Sequence, residues 1–110
     1  MKTVFIDMSR ITDQPSFHEA FQSAMGFPAF YGANMDAWID CMSAVDEPEA
    51  GLSAVTVSAG QLLLLELAEA IEFAGRCPDI YQDLIESTIF VNRRRAESGR
   101  WAVLALLLRR

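Results

Sequence analysis

Only two cysteines, Cys41 and Cys77, occur in the chain, and they form neither a CxxC pair nor any metal-ligand spacing. With no secretion signal ahead of them, two such thiols read as reduced side chains rather than a bridge, and Cys41 reads as a core residue. Long apolar runs are missing too. The longest, Leu62 to Leu65 and Trp101 to Leu108, fall far short of the roughly 20 residues that span a bilayer, and the N-terminus lacks a signal-peptide pattern. The expectation is a cytoplasmic protein without membrane association. Histidine occurs once, at His18, no serine or cysteine sits in a nucleophile motif, and there is neither a phosphate loop nor a metal cluster. No metal or cofactor is therefore expected. The one catalytic reading left is general acid and base work by paired aspartates with His18, and no spacing links His18 to such a pair.

Basic side chains are scarce in the first half. Residues 1 to 60 hold only Lys2 and Arg10 against eight carboxylates, whereas residues 61 to 110 balance seven arginines with seven acids, so the formal charge of −6 arises entirely from the first half. Such asymmetry repels nucleic acid and anionic lipid and speeds encounter with a basic protein. A chain of 110 residues that is 52% hydrophobic has material for one core, and residues 1–110 read as a single domain.

The most informative segment is FPAFYGANMDAWIDCM, Phe27 to Met42. Phe27-Pro28 forces an extended entry, Phe30 and Tyr31 add aromatic area, Gly32 permits backbone geometry that other residues resist, and Asn34 is a favoured helix N-cap. A helix from about Asn34 to Ala44 places Asp36 and Asp40 on one face, with Met35, Trp38 and Met42 pointing elsewhere. The helix dipole partly compensates Asp36. Asp40 lies a turn further in, where that benefit has faded.

The rest reads as α/β. Thr3 to Ile6 forms a strand, and Asp13 to Met25 an amphipathic helix with Phe17, Ala20, Phe21 and Ala24 on one face. Gln61 to Leu67 suits a strand covered on both faces, followed by a short helix. Pro78 opens a longer helix with Ile80, Leu84, Ile85, Thr88 and Val91 as its inward stripe, ended by Gly99, and Trp101 to Leu108 forms a third buried strand. Asp46 to Gly60 is a long connection whose AVTV centre is either an edge strand or a loop. Strands joined by helical crossovers imply a small parallel sheet.

The pattern aromatic-Tyr-Gly-x-Asn-x-Asp-Ala-x-x-Asp-Cys, formed by Phe30, Tyr31, Gly32, Asn34, Asp36, Ala37, Asp40 and Cys41, resembles the barstar-like family of ribonuclease inhibitors. That resemblance implies a three-stranded sheet in order 1-2-3 packed with about four helices. It also implies an immunity or antitoxin role, in which a basic ribonuclease or nuclease toxin is blocked by carboxylates standing where its substrate's phosphates would bind. The implied contacts are Phe30, Gly32, Asn34, Asp36, Ile39, Asp40 and Val45, on a protein that is a monomer when free. Trp38 reads as core and Tyr31 as structural.

Departures accompany the match. The family's best-known member has tryptophan where Ile39 and Val45 stand, and an acidic second contact in the last long helix where reading back from Gly99 places Arg94. A cation there implies a partner that offers an acid of its own, or a helix that makes no contact. Within the run Arg93 to Arg95 the side chains are expected to point outward near a helix end, and with Trp101 as the only nearby aromatic they fall short of a nucleic-acid footprint. The alternative to an inhibitor is an interaction module that self-associates through an apolar patch of Ile39 and Val45.

Overall fold

The segments KTVFID and LLLELA lie side by side as parallel strands β1 (Lys2–Asp7) and β2 (Leu63–Ala68) in the computed structural model, which describes residues 1–110. Strand β3 (Leu104–Leu108) pairs in parallel with the other edge of β2, giving the order β1-β2-β3. Register brings Val4, Leu65 and Leu106 into one row and Ile6, Leu67 and Leu108 into the next. Helices α1 (Gln14–Met25) and α2 (Met35–Ser43) cross between the first two strands, and α3 (Ala70–Arg76) and α4 (Pro78–Glu97) between the last two. This is the expected α/β architecture of three parallel strands and four helices.

Local chemistry accounts for the helix ends. The Asp13 side chain accepts from the Ser16 N–H while the Ser16 hydroxyl accepts from the Asp13 N–H, a reciprocal cap that starts α1 with Pro15 in its first turn. Gly26 ends α1 in the left-handed conformation, φ 69°. Phe17, Phe21 and Met25, spaced four residues apart, are all fully buried and meet Val4, Ile6, Leu63, Leu65 and Leu67 from the sheet, with Trp38, Met42, Leu84 and Val91 completing the same core. Each such side chain removed from water contributes about 1.5–3 kcal/mol. No helix is long and apolar enough to cross a membrane.

The fold corrects three expectations and decides a fourth reading that was open. Leu63, Leu65 and Leu67 are fully buried, but Leu64, Glu66 and Ala68 are only partly covered, so β2 is packed on one face and not both. Phe5 and Leu107 flank Glu66 on that outer face and are exposed, and Arg109 crosses it to pair with Glu66 at 2.7 Å. The third strand begins at Leu104 rather than Trp101, which is 79% exposed. Its start is fixed by Asn92 of α4, which donates to the Leu104 carbonyl and accepts from the N–H groups of Val103 and Leu104.

Arg95 is the third correction. It does not point outward with its neighbours but is buried. The connection from Asp46 to Gly60 is the fourth point, where two readings were open: it is irregular apart from a 3-10 turn at Pro48–Ala50. Its N–H groups bond to helix-end carbonyls instead of to a strand. Ala54 and Val55 donate to Met25, Ala54 also to Gly26, and Val57 to Val45, at 2.9 to 3.1 Å. A Cβ on Gly26 would lie 2.5 Å from that of Ala54, so this docking needs glycine for space as well as for φ.

Candidate functional site

The loop before α2 is built inward from its aromatic residues. Phe27 is buried and its ring packs 4.8 Å from that of Tyr31, while the Tyr31 N–H closes a turn onto the Pro28 carbonyl at 2.9 Å. The Tyr31 hydroxyl reaches His18 Nδ1 at 2.5 Å, and burial raises the phenol's pKa above the ordinary tyrosine range. Phe30, between these anchors, is 76% exposed. The unusual backbone expected at Gly32 falls one residue later, at Ala33 with φ 52°, while a Cβ at Gly32 would press on the Asn34 side chain at 3.3 Å. Asn34 then caps α2, its side-chain oxygen accepting from the Ala37 N–H at 2.8 Å.

Helix α2 sorts its side chains by face. Trp38, Cys41 and Met42 are buried, and Asp36 and Asp40 are exposed on the other side, about 6 Å apart as any residues four apart on a helix. Neither carboxylate takes part in an ion pair or side-chain hydrogen bond. The charge on Asp40 is felt locally: burial first, and that charge second, push the Cys41 thiol pKa up. Ile39 is half-buried. Val45 corrects the expected apolar contact patch, because it is fully buried in the core and presents no surface. Its distance from Trp38, Cys41 and Met42 places it on their side of the chain.

Beside Asp40 lies a shallow pocket of about 230 Å³ bounded by Pro28, Phe30, Tyr31, Gly32, Ala37, Cys41 and Leu52. Leu52, from the docked connection, lines this pocket and is not among the contacts expected from the sequence. No local pattern marks it. The carbonyls of Met25 and Gly26 hold its neighbours in place, and Ser53 Oγ adds a bond to Met25 at 2.9 Å.

The far end of α2 is clamped by charge. Arg95 donates two bonds to Asp46, at 3.1 and 2.7 Å, and further bonds to the carbonyls of Ser43 and Trp101. Both charged side chains are less than a tenth exposed. Arg100 reaches the same carboxylate at 3.0 Å from outside. Hydrogen bonds from Arg95, outweighing burial, hold the Asp46 carboxyl below the usual range. Arg94 remains exposed, its guanidinium 5.5 Å from the centre of the Phe90 ring.

The family model described as Barstar (barnase inhibitor) matches residues 1–99, nine-tenths of the chain. The chain belongs to the barstar family. Among curated proteins nothing matches it. Barstar-family members are inhibitors rather than enzymes and bind ribonucleases as protein partners.

In this barstar-family chain the enzyme reading has no geometry behind it. His18 is 2% exposed beneath Tyr31 with its Nε2 buried and unpartnered, and Asp36 and Asp40 are on the surface of another helix. Burial lowers the His18 pKa, so the ring is neutral in the fold at pH 7. In the unfolded chain a histidine titrates near about 6.5. Stability from His18 is therefore present in full above that pH and is lost as pH falls from there toward the lower folded value, because the unfolded chain takes up the proton first. Urea unfolding between pH 7.5 and 5 is expected to show this decline, and His18→Asn to flatten it. An unchanged slope in the variant would assign the decline to other groups.

Proposed function

We propose that this barstar-family protein inhibits a basic ribonuclease or related nuclease toxin by inserting Asp36 and Asp40 where the substrate's phosphates bind. One observation carries the reading: two carboxylates one turn apart are exposed and unpaired on a helix fixed at both ends. Like charges at that spacing destabilise a helix slightly, by about 0.2–0.5 kcal/mol, so an external cationic partner supplies a reason for the pair that the fold does not. A ribonuclease cleft is lined with cations for a phosphodiester, and rigid carboxylates offer matching charge without a cleavable bond. Phe30, Gly32, Asn34 and Ile39 surround the acids and complete the contact set. Val45 drops out of it, which also removes half of the apolar patch behind the self-association alternative. An immunity or antitoxin role in the cytoplasm, exerted by a free monomer, follows from this reading.

The test is a titration of RNA cleavage by a barnase-type ribonuclease. Activity is expected to fall linearly to zero at one equivalent, and a nucleoside monophosphate bound in the active site to compete with the inhibitor. Binding that is indifferent to the nucleotide would place the contact away from the active site and overturn the mechanism.

A further inference from the structure

The surface of α2 changes sign at its C-terminal end. Ser43 follows Asp36 and Asp40 at positions i+7 and i+3, so it continues their stripe, roughly 10 Å along the axis from Asp36 and within a turn of Asp40. There α2 meets the last turns of α4, and a cleft of about 90 Å³ opens between them, lined by Ser43, Arg94, Arg95, Ser98 and Arg100 with no apolar residue. Its charges are unevenly satisfied. Arg95 is consumed by Asp46, and Arg100 is shared between Asp46 and Glu47, the latter at 3.9 Å. Arg94 has no carboxylate. The Ser43 hydroxyl is buried without any hydrogen-bond partner, whereas Ser98 Oγ already donates to the Arg95 carbonyl.

We propose that this cleft is a carboxylate subsite, and that it takes an acidic side chain of the ribonuclease partner next to the cationic region engaged by Asp36 and Asp40. The inference rests on the inhibitor reading above for its occupant, but the subsite itself does not depend on it. The cleft leaves the Arg94 guanidinium without a carboxylate, which matches one incoming carboxylate. Three arginines against Asp46 and Glu47 leave an excess of a single positive charge, too little to hold a dianion. A free phosphate also meets the −6 charge of the whole chain. A carboxylate carried on a basic protein is instead drawn in with its carrier. The stripe thus requires a partner with two cationic positions followed, within a helical turn, by an acid.

Nuclear magnetic resonance of the arginine Nε–H groups and backbone amides, with acetate titrated at constant ionic strength, tests the subsite directly. Saturable shifts are expected at Arg94, Arg100 and the Ser43 amide, lost in Arg94→Gln and retained in Asp40→Ala. Shifts that rise linearly with acetate, or that persist in Arg94→Gln, overturn the subsite, and tighter binding of inorganic phosphate overturns its assignment to a carboxylate. Calorimetry with a barnase-type ribonuclease tests the occupant. Arg94→Glu is expected to weaken the complex about tenfold, since reversal removes an attraction and adds a repulsion. Unchanged or tighter binding, with Asp40→Ala still weakening the complex, overturns the partner acid while leaving the inhibitor reading intact. If the wild type forms no complex, the inhibitor reading fails for that enzyme and the proposed occupant with it, while the acetate titration still decides whether the subsite exists.

Discussion

Asp40→Ala is expected to weaken binding to the ribonuclease by about 2–5 kcal/mol, the cost of removing one partner of a desolvated charge pair, and to leave the fold intact. The two halves of that expectation have separate origins. In the complex, cations that bind phosphate would be left buried and unpaired where the carboxylate had stood. In the free protein Asp40 is exposed and bonded to nothing, so its loss breaks no internal interaction. It also relieves repulsion with Asp36 and puts a better helix former at that position, so the unfolding midpoint is expected to stay level or rise. Calorimetric titration beside urea unfolding reads both. Equal affinity for wild type and variant would refute charge mimicry, and a large loss of stability would show that Asp40 serves the fold.

Asp46→Ala is expected to do the reverse, costing about 3–5 kcal/mol of stability, because it strands the buried Arg95 guanidinium without a counter-charge. The damage extends beyond one pair, since Arg95 also holds the carbonyls of Ser43 and Trp101 and thereby ties the end of α2 and the turn before β3 to α4. Replacing both partners, as Asp46→Ala with Arg95→Met, is expected to recover most of the loss, since no buried charge remains. The pH dependence has a definite sign. The folded Asp46 pKa is depressed, so its contribution is present above the unfolded value near about 3.9 and disappears as pH falls through the lower folded value. A cost below about 1 kcal/mol in urea unfolding at pH 7 would mean that solvent reaches the pair and screens it.

Much of this was readable in the residues. Asn34 and Pro78 mark helix starts through backbone chemistry that acts within a few residues, and each starts its helix as expected. The two acids on one face of α2 follow from helical spacing alone. What failed depended on distant contacts. Arg93, Arg94 and Arg95 are identical in composition, and the counter-charge that accepts the third on burial, Asp46, is 49 residues away. A signal was present even so, for Arg95 continues the stripe Leu84, Thr88, Val91 at helical spacing, just as Val45 continues Trp38, Cys41 and Met42. Hydrophobicity patterns overlook a cation in such a stripe. The AVTV segment has strand composition, yet the unsatisfied carbonyls at the end of α1 compete successfully for its N–H groups. Leu52 and the cleft at Ser43 arise from such docking and have no local signature.

The clamp at Ser43 and the cap at Asn34 hold α2 from opposite ends, and the Tyr31 and His18 contact fixes the loop leading into it. On the inhibitor reading proposed above, the recognition surface is in this sense a finished template. Ordering it has been completed during folding, so a partner meets the same shape that it will leave, and differences in affinity among partners fall mainly on how slowly they let go. A template has a corresponding weakness. On that reading a nuclease that drifts in sequence cannot be followed by a flexing loop, and each escape has to be answered by a changed side chain, at positions such as Phe30 and Arg94 that protrude without supporting the core.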